Sequence, residues 1–186
     1  EKLKSKDLQV EFLQIQNKSL KKTLETDIKT DRNNIIAKVL LDKSSPYLKS
    51  IIVNRGSRSG VLKGMPVLDG SYLIGKIVEV NYLSSRVLLL NDLNSRIPVT
   101  FGSDAIQAIL TGNGSKKPKL EYLPEQFISL GNQKVFTSGK DGIFLPGIPV
   151  GLTEPLNDEA TVRLYSDPNQ LSFVNIEIAN NQKEIF

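Results

Sequence analysis

The chain has 186 residues, of which 39% are hydrophobic, 24% charged and 6% aromatic, a globular composition long enough for one substantial core or two small ones. It contains no cysteine and no histidine, which excludes a disulfide framework, thiolate metal sites, Ser-His-Asp and Cys-His catalysis and the common zinc sites. No window holds the roughly 18 apolar residues needed to span a bilayer, and the net charge of +4 is dispersed without a block of one sign, unlike a nucleic-acid footprint.

The chain begins at Glu1 without an initiating Met, so an upstream part is expected to have been removed. All 13 glycines and all 9 prolines lie after residue 45, leaving the first quarter without a strong breaker. Within it, Leu3, Val10, Asn17 and Leu24 fall at one seven-residue spacing, and Lys6, Leu13, Leu20 and Asp27 at a companion spacing offset by three. Read as a and d positions, these give a coiled-coil seam of Leu3, Val10, Leu13, Leu20 and Leu24, with Asn17 as a lone polar a residue. Such an Asn pairs with its counterpart and favours a parallel dimer of fixed register. Lys6 and Asp27 weaken both ends, and Leu8, Phe12 and Ile15 lie off the seam. The alternative is an amphipathic helix packed on its own domain.

From Ile35 the pattern changes to short strands separated by turn signals. Strands are predicted at Ile35–Leu41, Ser50–Asn54, Pro66–Leu68, Tyr72–Val80, Arg86–Leu90, Ile97–Phe101, Ala105–Thr111, Lys119–Leu123, Lys134–Thr137, Ile148–Leu152, Thr161–Ser166 and Ser172–Ala179. Asp69-Gly70 reads as a type I′ hairpin dipeptide and Asn113-Gly114 as a second tight turn. With no helix-period segment between them, these strands predict barrels or sandwiches rather than a parallel α/β sheet.

Two stretches repeat one plan. Residues 57–67 (Ser-Arg-Ser-Gly-Val-Leu-Lys-Gly-Met-Pro-Val) and 138–150 (Ser-Gly-Lys-Asp-Gly-Ile-Phe-Leu-Pro-Gly-Ile-Pro-Val) share a Gly, a Val or Ile, a second Gly, an apolar residue, Pro and Val. An Asp-x-Asn turn follows each copy, at Asp92-Leu93-Asn94 and Asp167-Pro168-Asn169. The repeat implies two related β-domains. Gly60, Gly64, Gly142 and Gly147 are expected at positive-φ turn positions, Pro66 and Pro149 at strand starts, and Asp92 and Asp167 as caps of their own turns.

Reactive chemistry is sparse. Ser19-Leu20-Lys21-Lys22 matches a Ser-x-x-Lys pattern but lies in the seam region and lacks the Ser-Asp-Asn and Lys-Thr-Gly companions. Gly112-Asn113-Gly114 is neither a dinucleotide fingerprint nor a P-loop. No catalytic, cofactor-binding or metal-ligating residue is expected.

The heptad leads into Ser57–Val67, then Gly75-Lys76-Ile77-Val78-Glu79-Val80, Ser84-Ser85-Arg86-Val87-Leu88-Leu89-Leu90, Asp92-Leu93-Asn94-Ser95-Arg96-Ile97-Pro98-Val99 and Gly142 through Gly151. This succession, most specific from Ser84 to Val99, resembles the MreC family of bacterial rod shape-determining proteins. The resemblance implies a mainly β fold with an N-terminal α-helix: a coiled-coil helix at 1–32 followed by two small related β-barrel domains of trypsin-like type without a catalytic triad, at 33–101 and 102–186. Strand exchange or nesting between the barrels is left open. It implies a membrane helix upstream of Glu1 and a location on the extracytoplasmic, periplasmic side of the inner membrane. The implied role is a non-enzymatic scaffold of the cell-elongation machinery, with self-association, no cofactor and no nucleic acid. The implied partners are MreD, RodA, its class B penicillin-binding transpeptidase and, indirectly, the actin-like MreB filament. The alternative function is a β-domain that binds or hydrolyses cell-wall carbohydrate directly, against which stand the absence of Trp and only five Tyr.

Overall fold

A computed structural model describes residues 13–14, 34–42, 49–124, 131–154 and 159–178. Leu13 and Gln14 are helical and Leu13 is exposed. The other seam residues, Leu3, Val10, Asn17, Leu20 and Leu24, lie outside the described residues, as does nearly all of the expected helix at 1–32.

Twelve strands occupy the described remainder: β1 (Asn34–Asp42), β2 (Ser50–Val53), β3 (Pro66–Asp69), β4 (Tyr72–Val80), β5 (Ser85–Leu89), β6 (Arg96–Phe101), β7 (Ile106–Thr111), β8 (Lys119–Glu121), β9 (Lys134–Thr137), β10 (Pro149–Thr153), β11 (Val162–Leu164) and β12 (Phe173–Glu177). Each overlaps a strand expected from alternation and turn signals. The ends differ where local geometry intervenes: the eighth strand stops at Glu121 because Tyr122 has a φ of 62°. The hairpin after β3 is also shifted. Asp69 pairs with Tyr72, so the turn residues are Gly70 and Ser71, and only Gly70 has a positive φ. That is the pattern of a type II′ turn, not the expected type I′, which needs positive φ at both central positions.

The strands form a closed barrel in the order β1-β12-β3-β4-β5-β2 and a six-stranded sheet in the order β11-β10-β9-β6-β7-β8. The outer strands of this sheet meet: Leu120 N–H donates to Ala160 O at 2.8 Å, and Val162 N–H to Pro118 O at 2.9 Å. The sheets do not part at residue 101. β6 belongs to the second sheet, while β12 returns to close the first barrel between β1 and β3, so the second sheet is nested between β5 and β12. β12 can return because Val174 and Ile176 complete the barrel interior, in antiparallel register with Ala37 and Val67.

Alternation sets both cores. Ala37, Ile51, Val53, Val67, Ile74, Ile77 and Val87 line the barrel, and Ile97, Val99, Phe101, Leu110, Val135, Val150 and Val162 line the second sheet. Leu68 and Leu73, register partners on the β3–β4 hairpin, turn away from the barrel interior and join the second core. Burying each contributes about 1.5–3 kcal/mol, which couples the two sheets. Ser166 Oγ donates to Asp69 Oδ2 at 2.7 Å across the same junction, and Tyr72 stacks on Tyr165 with ring centroids 4.9 Å apart. Burial first and Tyr72 second raise the Tyr165 hydroxyl above its ordinary 10.0, with Arg163 opposing.

Candidate interaction groove

The expected turn residues occupy turn geometry. Gly60, Gly64, Gly142 and Gly147 have φ of 81°, 94°, 67° and 88°, and Pro66 and Pro149 begin β3 and β10. Asp92 Oδ1 accepts from the Asn94 backbone N–H at 2.8 Å and from its side-chain amide at 3.1 Å. Asp167 Oδ1 makes the same pair of contacts with Asn169, at 3.0 and 2.9 Å. Asp92 differs in being fully buried and in accepting from the Lys49 N–H through Oδ2 at 2.7 Å. The Asn169 backbone N–H holds the Asp167 carboxyl below its ordinary 3.8; partial burial opposes this, while the Asn169 side chain and Lys116 assist.

The repeat does not extend to topology. Gly64 N–H donates to Ile77 O on the following strand β4, whereas Gly147 N–H donates to Thr137 O on the preceding strand β9. Three strands separate the first turn from its Asp-x-Asn motif and two separate the second, and the strand orders of the two sheets differ. The expectation that the turns hold equivalent places in two alike barrels is therefore corrected: similar turn chemistry serves two different connections.

The turns nonetheless meet. A Cβ built on Gly64 would lie 3.8 Å from Ile143 Cγ2, and beside this contact opens a groove of about 410 Å³ lined by Lys76, Arg96, Pro98, Ile109, Tyr122, Asp141 and Ile143. Its floor is the outward face of β6 and β7, where Pro98 and Ile109 are register partners while their neighbours Ile97, Val99, Ala108 and Leu110 point into the core. Lys76, opposite Pro66 in the β3–β4 register, forms the barrel side. Asp141 shapes the other wall by accepting from the Ile143 and Phe144 N–H groups at 3.1 and 3.3 Å.

Tyr122 stands at the rim. It is 80% exposed and holds the left-handed backbone conformation, in which a bulky side chain is strained. The residue before it is fixed from two sides, since Glu121 Oε2 accepts from Thr111 Oγ1 at 2.9 Å and from Arg96 at 3.3 Å. Ile143 adds a second exposed apolar side chain. The groove therefore offers an apolar floor, an aromatic rim, two cations and one carboxylate already engaged by backbone. Among the described residues, no three acidic side chains stand close enough to hold a metal ion. The lining groups supply apolar, aromatic and charged contacts. Sequence reasoning singled out Gly142–Gly147 but not Tyr122, Lys76 or Arg96. Ile109 was findable, as an apolar residue on the face of β7 that alternation assigns to solvent.

Residues 39–178 match the family described as rod shape-determining protein MreC, barrel core. A cell shape-determining protein MreC of Cereibacter sphaeroides is 37% identical over 139 residues, covering 74% of this chain and 46% of that protein; the chain spans less than half of that relative's length. A solved MreC structure superposes with a TM-score of 0.81 at 27% identity, covering 89% of this chain and 99% of that one. A solved complex between a penicillin-binding protein and MreC from Helicobacter pylori aligns with a TM-score of 0.60 at 14% identity, over 78% of this chain and 98% of that one, a likeness of fold alone.

Proposed function

Because the chain belongs to the MreC family of rod shape-determining proteins, we propose that it is a non-enzymatic scaffold for cell-wall synthesis whose intersheet groove docks a class B penicillin-binding transpeptidase. The observation that carries this reading is the groove itself: Tyr122 and Ile143 stand exposed over an apolar floor with Lys76 and Arg96 alongside. Exposed aromatic and apolar side chains beside cations are the usual anchors of a protein interface. The named complex of the Helicobacter pylori relative supplies the class of partner. An extended segment with apolar residues and a carboxylate fits this lining.

The reading extends to assembly. The seam Leu3, Val10, Leu13, Asn17, Leu20 and Leu24 joins two copies in parallel, with Asn17 meeting Asn17. On this reading a membrane helix upstream holds the barrels on the extracytoplasmic side, and the chain links the cytoplasmic MreB filament, through the membrane partner MreD, to RodA and its transpeptidase. Leu20→Asp is expected to shift the chain toward monomer in analytical ultracentrifugation without lowering its melting temperature. A lower melting temperature with unchanged mass would assign the seam to the chain's own domain.

The groove is tested by calorimetric titration with the extracytoplasmic part of the transpeptidase, beside sedimentation with purified peptidoglycan. The expected result is saturable binding to the transpeptidase, lost in Ile143→Asp, with neither binding to nor turnover of peptidoglycan. Saturable peptidoglycan binding or cleavage with no transpeptidase binding would replace this reading by the carbohydrate-directed one.

A further inference from the structure

A second surface lies away from the groove. Strand directions bring the ends of β2 and β4 and the starts of β1, β3 and β5 to one end of the barrel. Two loops cover part of that end, residues 54–65 and 81–84. They are tied together: Ser57 N–H donates to Asn81 O at 2.9 Å and Arg58 N–H to Tyr82 O at 3.2 Å. Gly56 permits the contact, since a Cβ there would overlap the Asn81 carbonyl oxygen and lie 2.7 Å from the Ser84 nitrogen. The β4–β5 turn is thereby braced, and it holds its apolar side chains outward. Tyr82 is 65% exposed, Leu83 61% and Leu62 59%.

The charge on these loops has one sign. Residues 54–63 and 81–84 contain Arg55, Arg58 and Lys63 and no acidic residue. The nearby Glu79 is engaged by Arg86 at 3.1 Å. Apolar tips carried on protruding turns, with cations around them, suit a flat and deformable anionic surface better than a concave pocket would. Tyr prefers the boundary between headgroups and acyl chains, Leu partitions below it, and Arg and Lys stay among the phosphates. Nucleic acid would use the cations but leave Leu62 and Leu83 without a role.

We propose that the loops at 54–65 and 81–84 form a docking surface for an anionic lipid bilayer, with Tyr82 and Leu83 inserted at the interface and Arg55, Arg58 and Lys63 on the headgroups. This contact is independent of the groove and uses no residue that lines it.

The chain has no tryptophan, so Tyr82→Trp creates a single emitter at the tip. The variant is mixed with vesicles of phosphatidylglycerol and phosphatidylcholine, with vesicles of phosphatidylcholine alone, and with soluble polyglutamate. The expected result is a blue shift, with quenching by brominated acyl chains, on the anionic vesicles alone, reversed by high salt. Adding Arg58→Glu and Lys63→Glu should weaken binding at least about tenfold, and Leu83→Ser should remove the quenching. Thermal unfolding of each variant confirms that it is folded. Absence of a shift on anionic vesicles overturns the proposal, as does equal binding to phosphatidylcholine alone or indifference to the charge reversals. A shift with polyglutamate and none with vesicles assigns the loops to an acidic protein instead. An emitter already blue-shifted and shielded from acrylamide before lipid is added assigns their cover to the chain itself or a second copy.

Discussion

The two Asp-x-Asn turns share their local chemistry and differ in everything around them. Each aspartate accepts from the backbone and side chain of an asparagine two residues on. Asp167 does only that, on the surface, at the start of a short 3-10 turn at Pro168–Gln170. Asp92 is fully buried and also takes the Lys49 N–H, so one carboxylate ties the chain leading into barrel strand β2 to the link between the two sheets. Gly112 lets the next connection lie against it, because a Cβ there would overlap the Asp92 carbonyl oxygen. A similar turn motif thus serves local capping in one place and coupling of the sheets in the other. Burial and a partner 43 residues away in sequence make the difference.

The largest expected effect separates these roles. Asp92→Ala leaves the Lys49 and Asn94 donors without their acceptor in a closed site, costing about 3 kcal/mol. The melting temperature should fall by roughly 6–12 °C in calorimetry. A loss no larger than that of Asp167→Ala would break the distinction. Next in size is Tyr122→Ala at the groove, which should weaken transpeptidase binding by about 30-fold, or about 2 kcal/mol, as loss of an aromatic anchor does. Its melting temperature should barely change, because the side chain is 80% exposed and alanine keeps the Cβ on which the left-handed strain depends. Asp167→Ala should cost only about 0.5–1 kcal/mol, the loss of one exposed cap.

The smallest effect is in acid. The Asp167 carboxyl is held below its ordinary 3.8 in the folded chain. Its contribution is therefore complete above that value and lost as pH falls through the lowered one. The stability gap between the wild type and Asp167→Asn should be constant from neutral pH to about pH 5 and should narrow below pH 4. A gap that widens in acid would contradict the assignment to the Asn169 N–H.

The same contrast between local and distant causes governs what was legible in the sequence. The strands were legible because period-two alternation and Gly, Pro and Asn turns are local signals, and so were the positive-φ glycines and the Asp-x-Asn caps. Pairing was not. Phe173–Glu177 reads as a strand from its own residues, but nothing local says that it closes the barrel against Asn34–Lys38. The repeat misled for a related reason, since similar turn residues do not determine whether the glycine amide bonds forward to β4 or back to β9. The groove assembles residues from Lys76 to Ile143, and its rim depends on a left-handed Tyr122 that no propensity of tyrosine foretells. The family was legible because its most specific stretch, Ser84 to Val99, is contiguous.

The central claim, that the turn carrying Asp141 and Ile143, Lys76, Tyr122 and the outer face of β6–β7 form the partner-binding groove, is tested most directly by amide hydrogen exchange with and without the transpeptidase. The account predicts new protection in the turn containing Lys140 to Ile143 and around Tyr122, with the loops at 54–65 and 81–84 unchanged. Protection confined to those barrel-end loops, or none in either groove segment at saturating partner, would contradict it.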